Sequence, residues 1–303
     1  MEPFLASVMI AATPFLFAAL GELVAERAGV LNLGVEGMML MGAVTAFAVA
    51  FTTGSTVLAV VAGAGAGLVM AGIFALVALH LMANQAATGL ALTIFGIGAS
   101  GLIGQGFVGQ PLQAPPKLDI PLLSESTALG RIVLGQDALV YLALAMVPAV
   151  AWFLARSRAG LVLRAVGDNH DSAHALGFGV IGVRTLAALF GGAMAGLGGA
   201  YLSLAYTPMW GENMTAGRGW IALALVVFAT WRPWRLLVGA YLFAAVTQLQ
   251  FYGQGWGLGV PSQALAMAPY LATIAALVII SRDRNLTLAN APACIGRPFR
   301  ATR

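Results

Sequence analysis

The sequence predicts an all-α polytopic membrane protein forming one transmembrane domain over 1–303, with about eight to ten membrane-crossing helices, some of them interrupted. Three observations carry that prediction. The 303-residue chain is 60% hydrophobic and 9% charged, with a mean hydropathy of +0.91, whereas a soluble domain carries roughly a quarter charged residues. From Gly37 to Pro116 there is no Asp, Glu, Lys or Arg, which leaves room for three helices at ~20 residues per span. The apolar runs are continuous rather than alternating, which argues against a closed β-barrel.

Taken in order, the spans fall near 4–21, 36–52, 56–80, 86–107, 138–155, 185–206, 217–231, 236–252 and 264–281. With nine spans and the N-terminus outside, the loop at Arg27, the loops 156–184 and 232–235, and the tail 282–303 all face the cytoplasm. That placement puts twelve of the fifteen Lys and Arg inside, leaving Lys117, Arg131 and Arg218 outside, as the positive-inside rule requires. The connection 108–137 carries Pro111, Pro115, Pro116 and Pro121 and reads as an external loop, either a passive tether or a docking surface. The pseudo-halves are 1–155 and 185–281. The opening MEPFLASVMI has no Lys or Arg ahead of its apolar run, so no cleavable signal peptide is expected. Gly63/Gly67 and Gly192/Gly196/Ala200 have the small-xxx-small spacing of close helix crossings.

Two segments make poor spans. GELVAERAGVLNLGVEG (21–37) places Glu22, Glu26, Arg27, Asn32 and Glu36 near membrane level. The apolar stretch 219–231 is too short to cross a ~30 Å core; if it is re-entrant, the count falls to eight. Interrupted helices at comparable places in two halves point to a translocation site, although snorkelling interfacial loops would give the same pattern.

Between the halves lies RSRAGLVLRAVGDNHDSAHALGFGVIGVR (156–184), the longest polar interruption. Gly167-Asp168-Asn169 reads as a turn and helix cap, residues 170–176 as a short helix, and Gly177 as its left-handed stop. A capped helix between two spans is a handle for a soluble partner, or a plain cytoplasmic loop.

Several chemistries are missing. There is no G-x-x-x-x-G-K-[ST], and the single lysine, Lys117, follows a proline, so the chain has no P-loop and no ATPase of its own. His170 and His174 share the i, i+4 spacing of metal ligands but lack a third, so no metal site is expected. No G-x-S-x-G occurs, and one cysteine, Cys294, excludes an internal disulfide. The charge of +4 follows loop placement and is not a nucleic-acid signal. A carboxylate such as Glu36 could relay protons in an ion-coupled secondary transporter, but no buried acid–base constellation accompanies it.

The run ALGELVAERAGVLNLGVEGMMLMGA (19–43) resembles the opening signature of permease subunits of ATP-binding-cassette importers. Within these it resembles the branched-chain amino acid and ribose permease superfamily, in its nucleoside and simple-sugar branch. LRAVGDNHDSAHALGF (163–178) is similar to that family's cytoplasmic coupling segment. GGAMAGLGGAYLSLAY (191–206), GRGWIALALVVFATWRPW (217–234) and the closing GRP-F-R of 296–300 follow in order. Where the family usually has proline and a β-branched aliphatic, this chain has His170 and Phe178, and Asp168 remains to cap the helix.

The resemblance implies an ABC importer permease fold that translocates nucleosides or related sugars across the inner membrane of a prokaryote. Branched-chain amino acids are an alternative. It also implies a second homologous permease chain, nucleotide-binding ATPase subunits that hold ATP and Mg, and an extracytoplasmic substrate-binding lipoprotein. No cofactor is expected in this chain itself. Coupling to the ATPase would fall to Arg164, Gly167, Asp168, Asn169, Ala173 and Gly177. A nucleoside needs polar groups and flat surfaces. The candidate pathway residues are therefore Asn32, Glu36, Asn84, Gln85, Thr88, Trp210, Glu212, Asn213 and Gln248. Each has a plainer alternative: Asn84 and Gln85 as helix caps, Gln248 as an interhelical bond, Trp210 as an interfacial anchor.

Overall fold

The computed structural model describes residues 2–118, 135–255, 267–281 and 290–300, and it is helical throughout, with isolated bridges in place of strands among those residues. Helix α1 (Glu2–Arg27) is apolar on every side and is buried almost continuously from Ala11 to Glu26, so the first helix of the chain is the axis of the bundle. Helices α2 (Val35–Thr53), α3 (Thr56–Phe74) and α4 (Gln85–Gly104) follow. Then come α5 (Ala138–Arg156), α6 (Arg158–Asp168), α7 (His170–Ala175) and α8 (Val180–Tyr201). The last three are α9 (Arg218–Phe228), α10 (Pro233–Gly255) and α11 (Ala268–Ser281). Both α3 and α8 run on into a wide π-turn, Ala75–His80 and Leu202–Tyr206.

Side-chain caps explain several starts. Ser55 accepts from Leu58 N at 3.4 Å to open α3, and Asn84 from Ala87 N at 2.9 Å to open α4. Asp137 accepts from Leu139 N and Val140 N at 2.9 and 3.2 Å to open α5. Each satisfies an amide that the first helical turn leaves without a partner.

Among the described residues seven helices are long and apolar enough to cross a membrane, and they match seven of the expected spans. The expected span 217–231 is instead the eleven-residue α9, about 16 Å long at 1.5 Å per residue. Part of the expected span 264–281 lies outside the described residues, and the remainder forms α11. The connection 108–137, expected to be external, also lies partly outside them; its first stretch pairs with the chain after α8 through bridges Val108 to Trp210 and Pro111 to Met209.

Helices α1, α2, α3 and α8 form the packed centre, with α4 on α2, and α5, α9 and α10 against α1. The α3–α8 crossing is a contact of backbones. A Cβ on Gly67 would collide with the Gly192 carbonyl and lie 2.8 Å from Gly196 Cα, so only glycine permits this approach. Gly63, Gly67, Gly192 and Gly196 all lie on this seam.

Candidate functional site

The first interruption is the non-helical stretch between α1 and α2. Its backbone groups lack the regular helical partners, and protein groups satisfy several of them. Leu31 N donates to Gln85 Oε1 at 2.8 Å, Thr93 Oγ1 donates to Leu33 O at 2.9 Å, and Arg184 Nε donates to Ala28 O at 3.2 Å. Asn32 bends the chain locally, its Oδ1 accepting from Gly34 N at 2.9 Å while its own amide donates to Glu22 Oε1 at 3.2 Å.

The second interruption runs from Thr207 to Gly217. Asn213, Ala216 and Gly217 have positive φ (53°, 47° and 84°), a left-handed run that reverses the chain and ends where α9 begins. The two interruptions meet at Glu36. Its Oε1 accepts from Thr215 Oγ1 and from Gly217 N at 2.8 Å, and its Oε2 accepts from Gly219 N at 2.6 Å. A buried carboxylate in the first turn of α2 thus caps the N-terminus of α9, where the amides and the helix dipole favour negative charge. A Cβ at Gly219 would lie 2.6 Å from Glu36 N and Cα, so glycine is needed there too.

The far end of α9 is fastened by a second carboxylate. Thr230 and Trp231 take positive φ (49° and 54°) and turn the indole inward, where Trp231 Nε1 donates to Glu26 Oε2 at 2.5 Å. Beside it Arg27 donates to Trp231 O at 3.2 Å and to Asn290 O at 3.0 Å. The short helix is therefore held at both ends by acids of the first interrupted region.

Of the pathway candidates, Asn32, Glu36 and Gln85 gather around the start of α2. Trp210 lies farther along α2, packed with Leu40, Val44 and Phe47. Asn84 caps α4 and Thr88 donates back to Asn84 O at 2.8 Å. Glu212 and Asn213 are exposed on the second interruption. Gln248 stands apart, its Nε2 donating to Ser7 O and Tyr206 Oη at 3.4 Å. Two of these residues carry a buried N–H without a partner among the described residues: Gln85 at Nε2 and Trp210 at Nε1.

The segment 156–184 is more helical than its sequence suggested. Ser157 Oγ accepts from Gly160 N at 2.9 Å and opens α6, which ends on Asp168. The cap of α7 is Asn169, whose Oδ1 accepts from Ser172 N at 2.9 Å, while Asp168 belongs to the preceding helix. Gly177 has φ +88° and stops α7. A Cβ on Gly167 would collide with the Arg27 carbonyl, which fastens α6 to the end of α1. Ala173 is buried with Val166, Val180 and Phe299, and the Nε of Arg164 is buried without a partner among the described residues.

Residues outside the expected set hold this end together. Arg184, fully buried near the start of α8, donates to Ala28 O, to Arg297 O at 2.8 Å and to Cys294 O at 3.4 Å, and its Nη2 lies 3.0 Å from His170 Nδ1. A guanidinium only donates, so His170 Nδ1 accepts and the ring is neutral. Burial first, and then the Arg184 charge, hold the His170 pKa below its usual value. The tail closes over the pair: Cys294 N donates to Gly167 O at 2.9 Å, Gly296 N donates to Gly29 O at 3.1 Å, and Phe299 meets His170 and His174 edge-on. The signal for Arg184 was its place at the edge of an apolar run without a nearby acid; the signal for Phe299 was the GRP-F-R ending. Leu176 and Phe178, just past α7, remain exposed.

Residues 4–280 match the family model described as branched-chain amino acid transport system / permease component. The chain is 41% identical over 302 residues to "Putative glucose ABC transporter permease protein TsgC13" of Haloferax volcanii, covering 92% of each chain. It is 31% identical to the nucleoside ABC transporter permease protein NupC of Lactococcus lactis subsp. cremoris, again covering 92% of each. To the guanosine ABC transporter permease protein NupQ of Bacillus subtilis it is 30% identical, over 97% of this chain and 95% of that one.

Proposed function

The chain belongs to the branched-chain amino acid transport system permease family, and on that premise we propose that it is the pore subunit of an ATP-driven importer for a solute bearing a sugar ring. The solute is a nucleoside or a simple sugar. The observation that carries this reading is α7, a capped helix clamped to the bundle by Arg184 and the tail, with Leu176 and Phe178 exposed beside it. It is a rigid contact for a partner that pushes.

In this reading a nucleotide-binding subunit, carrying ATP and Mg, seats Asp168 to Gly177 in a groove on the cytoplasmic side. A second homologous permease completes the pore, and a binding lipoprotein delivers solute from outside, where the N-terminus lies. Alternating access would move the α2–α9 junction relative to its surroundings. The unpartnered N–H of Gln85 is a donor that a solute hydroxyl or ring nitrogen could accept from, with Trp210, Glu212 and Asn213 on the approach. Glu36 is the pin of the junction.

The test is uptake of labelled guanosine and labelled glucose in a strain lacking its own carriers, restored with this chain and its companion subunits. Excess adenosine, ribose or leucine serves as competitor. Uptake competed by nucleosides or sugars and lost with an ATPase-dead partner supports the reading. Competition by leucine alone assigns the amino acid instead, and uptake that survives without the ATPase but collapses with an uncoupler overturns it.

A further inference from the structure

At the end of the bundle where α1 stops, a cavity of about 560 Å³ opens between α5, α6 and the corner joining α9 to α10. Four arginines line it: Arg27, Arg164, Arg232 and Arg235. No acidic residue lines it among the described residues, and none of the four forms an ion pair with a carboxylate among them. Arg27 and Arg235 spend donors on neutral oxygens, the carbonyls of Trp231 and Asn290 and the hydroxyl of Thr230. Arg164 keeps a buried Nε with no partner among the described residues. Glu26 accepts from Trp231, and Asp168 on α6 attracts Arg27 without an ion-pair contact among the described residues.

Concentrated guanidinium charge without an anion is costly unless something negative completes it, and guanidinium forks match phosphate oxygens in pairs. The position narrows the source. The cavity is walled by the last turns of α5 (Ala151, Leu154) and the first turn of α10 (Pro233, Trp234), which are ends of membrane-crossing helices. Trp234 is 57% exposed there, the position of an aromatic belt at the headgroup level. Anionic leaflets hold phosphate at that depth.

We infer that this cavity binds the phosphate of an anionic phospholipid, with the headgroup against Arg164 and Arg232 and the acyl chains along α5. The inference rests on the chain crossing the membrane, and not on which solute it carries.

The experiment uses the assembled transporter, exchanged into nanodiscs of phosphatidylcholine with and without phosphatidylglycerol. Lipid retained after detergent extraction is read by mass spectrometry. Wild type should retain phosphatidylglycerol over phosphatidylcholine, and each of Arg164→Gln and Arg232→Gln should cut that preference about fivefold. Arg232 is exposed, so its variant carries the test even where Arg164→Gln fails to fold. Unchanged retention in both variants overturns the inference. Displacement of the lipid by millimolar inorganic phosphate reassigns the cavity to free phosphate and overturns the lipid. Loss of the ATPase subunit from the variants with lipid retention intact overturns it in favour of a protein contact. None of these readouts depends on uptake, so the solute assignment can fail separately.

Discussion

Glu36 and Gly219 lie 183 residues apart in sequence and 2.6 Å apart in space, the carboxylate of one helix start accepting from the amide of another. Two helix N-termini share one anion. Glu36→Gln keeps the shape but removes the charge and turns a donor toward amides that need acceptors. It should destabilise the protein by about 1–3 kcal/mol and lower uptake in parallel. Thermal unfolding of the purified transporter reads the first and labelled uptake the second; an unchanged melting temperature would show that other contacts hold the junction.

The partner clamp makes a matching prediction. Trp231→Phe keeps an aromatic side chain, though a smaller one, and deletes the donor to buried Glu26, leaving a polar group unpaired at a cost of about 1–3 kcal/mol. Heat inactivation should quicken. Trp231→Phe combined with Glu26→Gln should lose less than the sum, because the two residues form one interaction.

The glycine seam can be tested by position. Gly67→Ala places a methyl against the Gly192 carbonyl and should cost about 1–3 kcal/mol through overpacking. Gly65→Ala and Gly98→Ala, where nothing lies within 4 Å, should be silent. Resistance to limited proteolysis in membranes separates them, and equal resistance across the three would contradict the close crossing.

Arg184→Gln shortens the reach to Arg297 O and Cys294 O and removes the charge beside His170. The ATPase subunit should co-purify in lower yield, and truncation before Cys294 should reproduce the loss. Retention of the subunit by both forms would separate the tail from coupling.

His170 predicts a pH dependence. Its pKa in the fold is lowered, so the unfolded chain binds the proton more readily and stability rises with pH. The contribution is fully present above the unfolded value of about 6.5 and is lost as pH falls through the folded value. The surrounding charges are Arg184, Asp171 and Arg297. His170→Gln keeps an acceptor for Arg184 without titrating, so the difference in melting temperature between wild type and variant should change with pH below neutrality. A constant difference would remove His170 as the cause.

The long apolar helices were legible because each advertises itself within about twenty residues. The junctions were not. Glu26 and Glu36 stood out as misplaced charges, but their partners Trp231, Gly217 and Gly219 lie in a segment that read only as a defective span. Helix α6 was missed because RAGLVLRAVGD divides its apolar residues between a buried side with Leu163 and Val166 and an exposed Leu161, a balance that depends on where the bundle ends. The tail carried no apolar run, and its role came from main-chain groups, which every sequence offers equally.

The bond from Arg184 to the carbonyl of Arg297 closes over 113 residues of chain. A ribosome adding about 5–20 residues per second makes the acceptor some 6–23 s after the donor. Until then the fully buried arginine lacks its final partners, and the platform under α7 cannot settle. A chain cut short before Arg297 would insert its spans and still present an unfinished face beside α7, so the clamp closes only once synthesis has passed that residue.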